Sequence, residues 1–596
     1  MLNELNPTWK LENIFPGGSE SEKLEGFLEQ LEEDLLLFQQ KISGEKVPQN
    51  MEEAQEWSNN LDRIQDLEKR IREASAFVSC LTAQNVKDQK AKLLLGRLMQ
   101  ISSSFASLVT SLDHQILSIP QDVWEELLEQ NDIKPISFPL EERRTLAKEK
   151  LPHEQEKLVN DLAVDGYHAW EELYNTVVGR ISIPFEQDGK KVDLSVGQAQ
   201  NKMSDGDRDV RKEIFKKWEE AWGKDAELCA HALNHLAGFR INLYKNRKWD
   251  SILKEPLDYN RMTEQTLNTM WKTIDQNKDI FVSYLQRKAK LLGLNHCSWY
   301  DLDAPLSRKS PKISYDKAAQ LIVDQFHRFS PKMAEFAKTA FQERWIEAED
   351  RPGKRPGGFC TSFPLTKESR IFMTYGGTAS GVSTLAHELG HAYHQHVMND
   401  LPQMIQNYAM NVAETASTFA EMIVADASVK HAKTTEEKIN LLEDKIQNSI
   451  AFLMNIHARF IFELSFYEER KKGLVSVERL NELMEEAQKK AYRDSLETYH
   501  PYFWASKLHF YITEVPFYNF PYTFGYLFSA GIYARALQEG SAFEEKYVSL
   551  LRDTGRMKVE DLAARHLGVD LTKPDFWQSA IDIVASDVRE FLRLTE

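Results

Sequence analysis

The sequence predicts a mainly α protein with a small β-sheet set beside one histidine-bearing helix. Three observations carry that expectation. Apolar residues recur at three- and four-residue intervals over long stretches such as "LEGFLEQLEEDLLLFQQKI" and "LDRIQDLEKRIREASAFVSCL", the spacing that lines one face of a helix. Alternation with a period of two is confined to short runs. One of these, bracketed by Gly and Pro, leads directly into "TLAHELGHAYHQH" at 384–396.

Composition bounds the class. The chain has 596 residues, 42% hydrophobic and 28% charged, an ordinary globular balance with ample material for a large core. Ninety-one acidic side chains face 74 basic ones, a net charge of -17 with no Lys/Arg-rich run. That argues against nucleic acid or an anionic membrane as partner. Cys80, Cys229, Cys297 and Cys360 form no CxxC pair and no framework spacing, so neither a disulfide scaffold nor a zinc ribbon is expected and a reducing compartment fits. The opening residues lack the basic-then-apolar pattern of a secretory signal, so a cytoplasmic protein is expected. The most apolar long stretch, 512–537, contains two prolines, Glu514 and several tyrosines, and is expected to be buried along a cleft rather than to span a membrane.

The elements follow in order. From about residue 20 to 175 the pattern is helical with short breaks, as in an antiparallel bundle, and no repeat unit is evident. Residues 180–195 alternate around Asp188-Gly189, a dipeptide that tolerates the positive φ angles of a tight hairpin turn. Helical periodicity resumes at "DRDVRKEIFKKWEEAW" and runs to about residue 344. Between 351 and 381, Gly/Pro punctuation surrounds the strand-like run 371–375. The segment "SRIFMTYGG" is expected to offer a strand edge to an extended peptide, with Gly376 and Gly377 allowing close backbone approach. Helices then continue to the last residues. One boundary is expected, dividing a helical domain that ends in the hairpin, 1–195, from the remainder, 196–596.

Within the histidine stretch, His387, Glu388 and His391 spell HExxH. Four residues apart on a helix, both imidazoles reach one metal ion, while Glu388 reaches a water rather than the metal. That is the division of labour hydrolysis requires. Ser383 and Thr384 are candidate N-caps, Leu385, Ala386 and Leu389 a face for burial, and Gly390 a point of close backbone approach. His394 lies about 10.5 Å along the axis from His387, too far to complete the same coordination sphere, and it reads with His396 as a solvated helix end. The longer HExxHxxGxxH pattern fails at 394 and 397.

A third ligand must come from elsewhere. In "NYAMNVAETASTFAEMIVADA", 407–427, Glu414 and Glu421 stand two turns apart on one face of a helix-like segment among small and apolar residues. Carboxylates in such company are costly unless paired or metal-bound. Glu414 is therefore assigned as third ligand, and Glu421 as the acceptor for the free N–H of a ligand histidine. His231 and His235, also four apart, lack an adjacent acid and a third ligand, and are read as ordinary core or surface histidines. For oxyanion donors, "KLHFYITEVPFYNFPYTFGYLF" offers His509 and Tyr518, Tyr522 and Tyr526, which would share a face if helical.

These blocks, with "GGFCTSFP" upstream and the opening "PTWKLENIFPG", resemble the oligoendopeptidase F branch of the thimet oligopeptidase-like zinc metallopeptidases over nearly the full chain. The resemblance implies an elongated helical molecule with a deep channel that admits short unstructured peptides, excludes folded proteins and cuts internal bonds. It implies one zinc ion on His387, His391 and Glu414, with Glu388 as general base and 196–596 as the catalytic domain. His509 matches the family's donor histidine by position. Spacing differs between branches at the tyrosines, of which Tyr522 is favoured as donor, with Tyr518 and Tyr526 on the substrate side. A monomer or weak homo-oligomer is expected. An exopeptidase and a non-catalytic peptide-binding protein are the competing readings, and an intact Glu388 argues against the second.

Overall fold

The computed structural model describes residues 4–187, 189–306 and 312–596, so Asp188 of the expected turn lies outside the described residues. Three long helices open the molecule: α1 (Glu22–Gly44), α2 (Met51–Gln84) and α3 (Gln89–Ser118). Each starts at a side-chain cap, Ser21, Asn50 and Asp88 respectively, which accepts an otherwise orphaned backbone N–H. The buried stripe of α1, Leu24, Leu28, Leu31, Leu35, Phe38 and Ile42, keeps the alternating four- and three-residue spacing seen in the sequence. Among the described residues α3 alone is long and apolar enough to cross a membrane by length and composition. Its stripe of Leu94, Leu98, Ile101, Leu108, Leu112 and Ile116 packs into the apolar cluster of this region.

The hairpin forms as expected, β1 (Ile183–Gln187) antiparallel to β2 (Lys190–Leu194), with Gln187 opposite Lys190 and Gly189 at φ 73°. Ile183, Phe185 and Leu194 turn inward and join a second, larger apolar cluster. The two clusters part between Leu140 and Ala163, upstream of 195. Beyond the hairpin, the long helix α4 (Arg208–Asn246) crosses this second cluster.

A three-stranded sheet joins the two bodies: β3 (Ile346–Glu347), β4 (Phe359–Phe363) and β5 (Glu368–Phe372), in the order β3-β5-β4. Lys10 donates to the Arg344 carbonyl and Ala348 to that of Pro7, which lashes the N-terminal segment to the sheet. Phe363 and Phe372 enter the N-terminal cluster while Ile371 enters the other. β5 is the middle strand, parallel to β3 and antiparallel to β4, and the N–H groups of Met373 and Tyr375 continue the ladder to Glu347 and Ala348. The expected strand edge at "SRIFMTYGG" is thus corrected: both sides of β5 are taken, and β4 lies at the edge.

The sheet feeds α5 (Ala379–Met398), whose N-cap is Thr378, its hydroxyl accepting from Gly381 N–H. Ser383 and Thr384 sit inside the helix, because it begins one turn earlier than the sequence suggested. Six further elements matter for the site: a short helical turn at Met410–Ala413, α6 (Thr415–Lys430), α7 (Thr435–Ile450), a π turn at Ala451–Asn455, α8 (Ile456–Arg470) and α9 (Phe520–Glu539). The last helix, α10 (Pro574–Leu594), packs on α9, where the Phe576 ring occupies the space that a side chain at Gly531 would need. The apolar stretch is therefore interior over 520–534, with Phe520, Phe524, Leu527, Phe528 and Ile532 fully buried and Tyr522, Tyr526 and Tyr533 lining a cavity, while Glu514 and Leu537 are exposed.

Candidate metal centre and active site

His387 and His391 project from one face of α5, their rings 4.9 Å apart, while Leu385, Ala386 and Leu389 bury the other face completely. Gly390 lies against α6: a Cβ there would sit 2.5 Å from Ser417 Cα and run into the Ala416 carbonyl. That close approach brings Glu414 to the histidines. Glu414 is at the break between the turn Met410–Ala413 and α6, so the expected single helix over 407–427 is interrupted at the residue whose side chain must swing out. Its Oε2 lies 3.2 Å from His387 Nε2 and 3.4 Å from His391 Nε2. Ser417 Oγ donates to the same carboxylate oxygen at 2.7 Å.

These three residues form the one metal-capable group among the described residues. A tetrahedral zinc site with ligand bonds of about 2.0–2.1 Å has donor–donor edges of about 3.3–3.4 Å, and the 3.2 and 3.4 Å separations match. The electrostatics agree. Burial alone would push the His387 imidazolium down, but Glu414 and Glu421 outweigh it and push it up to about 10. Burial likewise acts to raise Glu414, yet the two histidines hold it far below the usual carboxylate range. The pocket demands positive charge.

Glu421 accepts from His387 Nδ1 at 3.2 Å and is itself steadied by Asn448 Nδ2 at 3.3 Å. The bond puts the ring proton on Nδ1 and leaves Nε2 as the ligating atom. Glu388 is 7% exposed, its Oε2 has no hydrogen-bond partner, and burial raises its carboxyl above the ordinary range. Its Oε1 faces Gly358 at the start of β4, where a Cβ would lie 3.4 Å away.

His509, Tyr518 and Tyr522 cluster, with ring centroids 5.4 Å (His509–Tyr518), 6.4 Å (His509–Tyr522) and 5.7 Å (Tyr518–Tyr522) apart. Burial, aided by Arg459 and Lys507, lowers His509 to about 4, so its ring is neutral at pH 7, and its Nδ1 has no partner. Tyr518 precedes α9, so the three tyrosines do not share one helix. Tyr522 and Tyr526 line a cavity of about 290 Å³ together with His387 and Glu414. The Tyr526 hydroxyl is already bonded to Ser449 at 2.8 Å.

Gly376 is exposed; Gly377, at φ 76°, gives its carbonyl to Ile313 N–H. The close neighbour at Gly377 is this chain's own Ile313. His394 is a correction: it is fully buried, its Nε2 is 2.9 Å from Thr554 Oγ1, its ring stacks on Tyr408, and burial lowers it to about 3. The helix at 544–553 covers that end of α5, which no local pattern announces. His396 is exposed as expected. His235 stacks between Trp170 and His231 with no acid beside it. Sequence reasoning missed Ser417, Asn448, Gly358 and Gly525. At Gly525 a Cβ would lie 3.2 Å from Glu414 Cβ. A glycine within the tyrosine block was the only available sign.

Comparison with known proteins accords with this geometry. The model for "Peptidase family M3" matches residues 202–583, and that for "Oligopeptidase F" matches 115–182. Oligopeptidase PepF of Bacillus subtilis is 23% identical, the alignment covering 98% of this chain and 87% of the relative. An oligoendopeptidase F homolog of Lactococcus lactis is 22% identical over 99% of this chain and 97% of its own. The crystal structure of oligoendopeptidase-F from Enterococcus faecium shares the fold, with TM-score 0.72 and 18% identity over 97% of this chain and 99% of that one. The M3 match spans well over half the chain and includes every residue of the His387–His391–Glu414 group, so the chain belongs to peptidase family M3, on its oligoendopeptidase F branch, and is a metalloendopeptidase.

Proposed function

We propose that the chain is a zinc-dependent endopeptidase of short, unstructured oligopeptides, working in the cytoplasm. The observation that carries this reading is the convergence of His387 Nε2 and His391 Nε2 on Glu414 Oε2, with the unpartnered carboxylate of Glu388 on the same helix. Two nitrogens and one carboxylate oxygen are the donors of a hydrolytic zinc site. When bound, the metal supplies Lewis-acid chemistry to the reacting water and carbonyl. The cysteines, unpaired and mostly buried, favour a reducing compartment.

The chain's own residues supply the rest. Glu388, raised by burial, takes the proton of the attacking water and delivers it to the leaving amine. Glu421 holds His387 in its ligating tautomer. His509 and Tyr522 are neutral donors at pH 7, suited to the oxyanion. An extended substrate is proposed to add to the outer edge of β4, where Gly358 leaves the approach to Glu388 open.

The test is cleavage of an internally quenched peptide blocked at both ends, with and without chelator, alongside Glu388→Gln. Chelator-sensitive cleavage that falls at least about a hundredfold in the variant, with about one zinc retained per chain, is expected. Failure to cut any doubly blocked peptide would remove the endopeptidase reading.

A further inference from the structure

Behind the metal-side cavity lies a second one, of about 220 Å³, across the π turn Ala451–Asn455. Phe452 of that turn lines the metal-side cavity, while Ala451 and Asn455 line the second. A π turn inserted between two regular helices commonly marks a functional position.

The charge in this second cavity is unbalanced. Arg459 and Lys507 both line it, each 5.2 Å from the centroid of the Phe503 ring. Arg459 donates to Asn455 Oδ1 at 2.9 Å and Asn519 Oδ1 at 3.0 Å, both neutral acceptors. Among the described residues neither cation has a carboxylate within ion-pair distance. Asp303 is the one acid on the cavity wall, and it acts on Lys507 only at longer range. His500, also on the wall, is paired with Glu219. Three further donors on residues of the wall have no partner: Trp218 Nε1, Tyr284 OH and Tyr492 OH, in side chains 3%, 1% and 0% exposed.

Withdrawing two cations from water without a paired carboxylate, and three neutral donors without acceptors, is costly, and such a constellation is resolved by an anion. Burial pushes Lys507 down to about 8 and Arg459 to about 10, which registers the same deficit. Both cations act electrostatically on His509, and Arg459 also on Tyr522, so the cavity adjoins the oxyanion donors.

We infer that this cavity seats a carboxylate carried by the peptide substrate, its free C-terminus or an Asp/Glu side chain downstream of the cleaved bond, held by Arg459 and Lys507. The inference rests on the peptidase reading above. It adds a second anchor to the metal centre, and it makes the length of peptide downstream of the cut a determinant of affinity.

The experiment uses internally quenched peptides with one cleaved bond and one to five residues downstream, each as free acid and as amide, plus amides carrying Glu at each downstream position. One downstream length is expected to show a KM for the acid at least about tenfold below that of its amide, the scale of a charge-assisted bond. Where the amide with Glu at one position shows that gain instead, the seat takes a side chain. Lys507→Met, which removes a nitrogen that has no ion pair among the described residues, and Arg459→Lys, which retains the charge and loses the fork, should each bring the acid-to-amide KM ratio toward one. Arg459→Gln loses bonds to Asn455 and Asn519, so it is read only beside Lys507→Met. Equal KM for every acid, amide and Glu peptide would overturn the inference and leave the peptidase reading intact. An unchanged ratio in both Lys507→Met and Arg459→Lys would overturn it equally. If no peptide of either kind is cut, the peptidase reading itself falls.

Discussion

His387 presents its Nδ1 to Glu421 Oε2 at 3.2 Å while its Nε2 faces Glu414, so one imidazole bridges two carboxylates seven residues apart. Replacing Glu421 with Gln removes the charge and keeps the shape. Zinc affinity, measured by competition with a chromogenic chelator, should fall by about 10- to 100-fold. Unchanged affinity would reduce Glu421 to a bystander.

Gly390 sets the spacing of the ligand helices. Gly390→Ala forces α5 and α6 apart where Ser417 Cα would be 2.5 Å from the new methyl. A loss of about 1–3 kcal/mol by urea denaturation is expected, together with reduced zinc content, because Glu414 moves with α6. A variant that is destabilised yet fully loaded with zinc would show that Glu414 does not depend on this contact.

Tyr522 and Tyr526 of the metal-side cavity should separate kinetically. Tyr522→Phe is expected to lower kcat by about 10- to 1,000-fold with KM little changed, as for an oxyanion donor. Tyr526→Phe, whose hydroxyl serves Ser449, should cost stability rather than kcat. The reverse order in stopped assays would exchange their roles.

Lys278 gives a pH-dependent stability. It is fully buried, its Nζ donates to His457 Nδ1 at 2.7 Å, and burial lowers it to about 7. The unfolded chain keeps that proton to about pH 10.4. Below pH 7 both states are charged and the burial penalty is complete; between these values the unfolded state binds more protons, so stability rises with pH. The Lys278 contribution should grow by roughly 3 kcal/mol between pH 7 and 9.5. Urea midpoints of the wild type and Lys278→Met across that range check it: the variant should lack that part of the rise.

Local spacing made much of the site legible. HExxH needs only the helical repeat, and the carboxylates at 414 and 421 stood out because an apolar segment had no other use for them. What stayed hidden depends on contacts between distant segments. The order β3-β5-β4 moved the free edge from "SRIFMTYGG" to Phe359–Phe363, since residue type does not reveal which strand is central. His394 looked solvated because the helix that covers it arrives some 160 residues later, at Leu551 and Thr554. The cation pair was invisible for the same reason: Arg459 and Lys507 come from separate segments and meet at the Phe503 ring.

The lashing of residues 7–10 to the sheet bears on how the molecule is made. Pro7 pairs with Ala348 across 341 residues of sequence, and the cavity beside the ligands is closed by Ile583, Val584 and Asp587. On the ribosome residues 7–10 must wait for the sheet, and the cavity for α10. Pairings of such long range close slowly. A nascent chain halted after α6 would hold all three ligands yet have no finished wall beside them, so hydrolytic competence should arise only once α10 has been made.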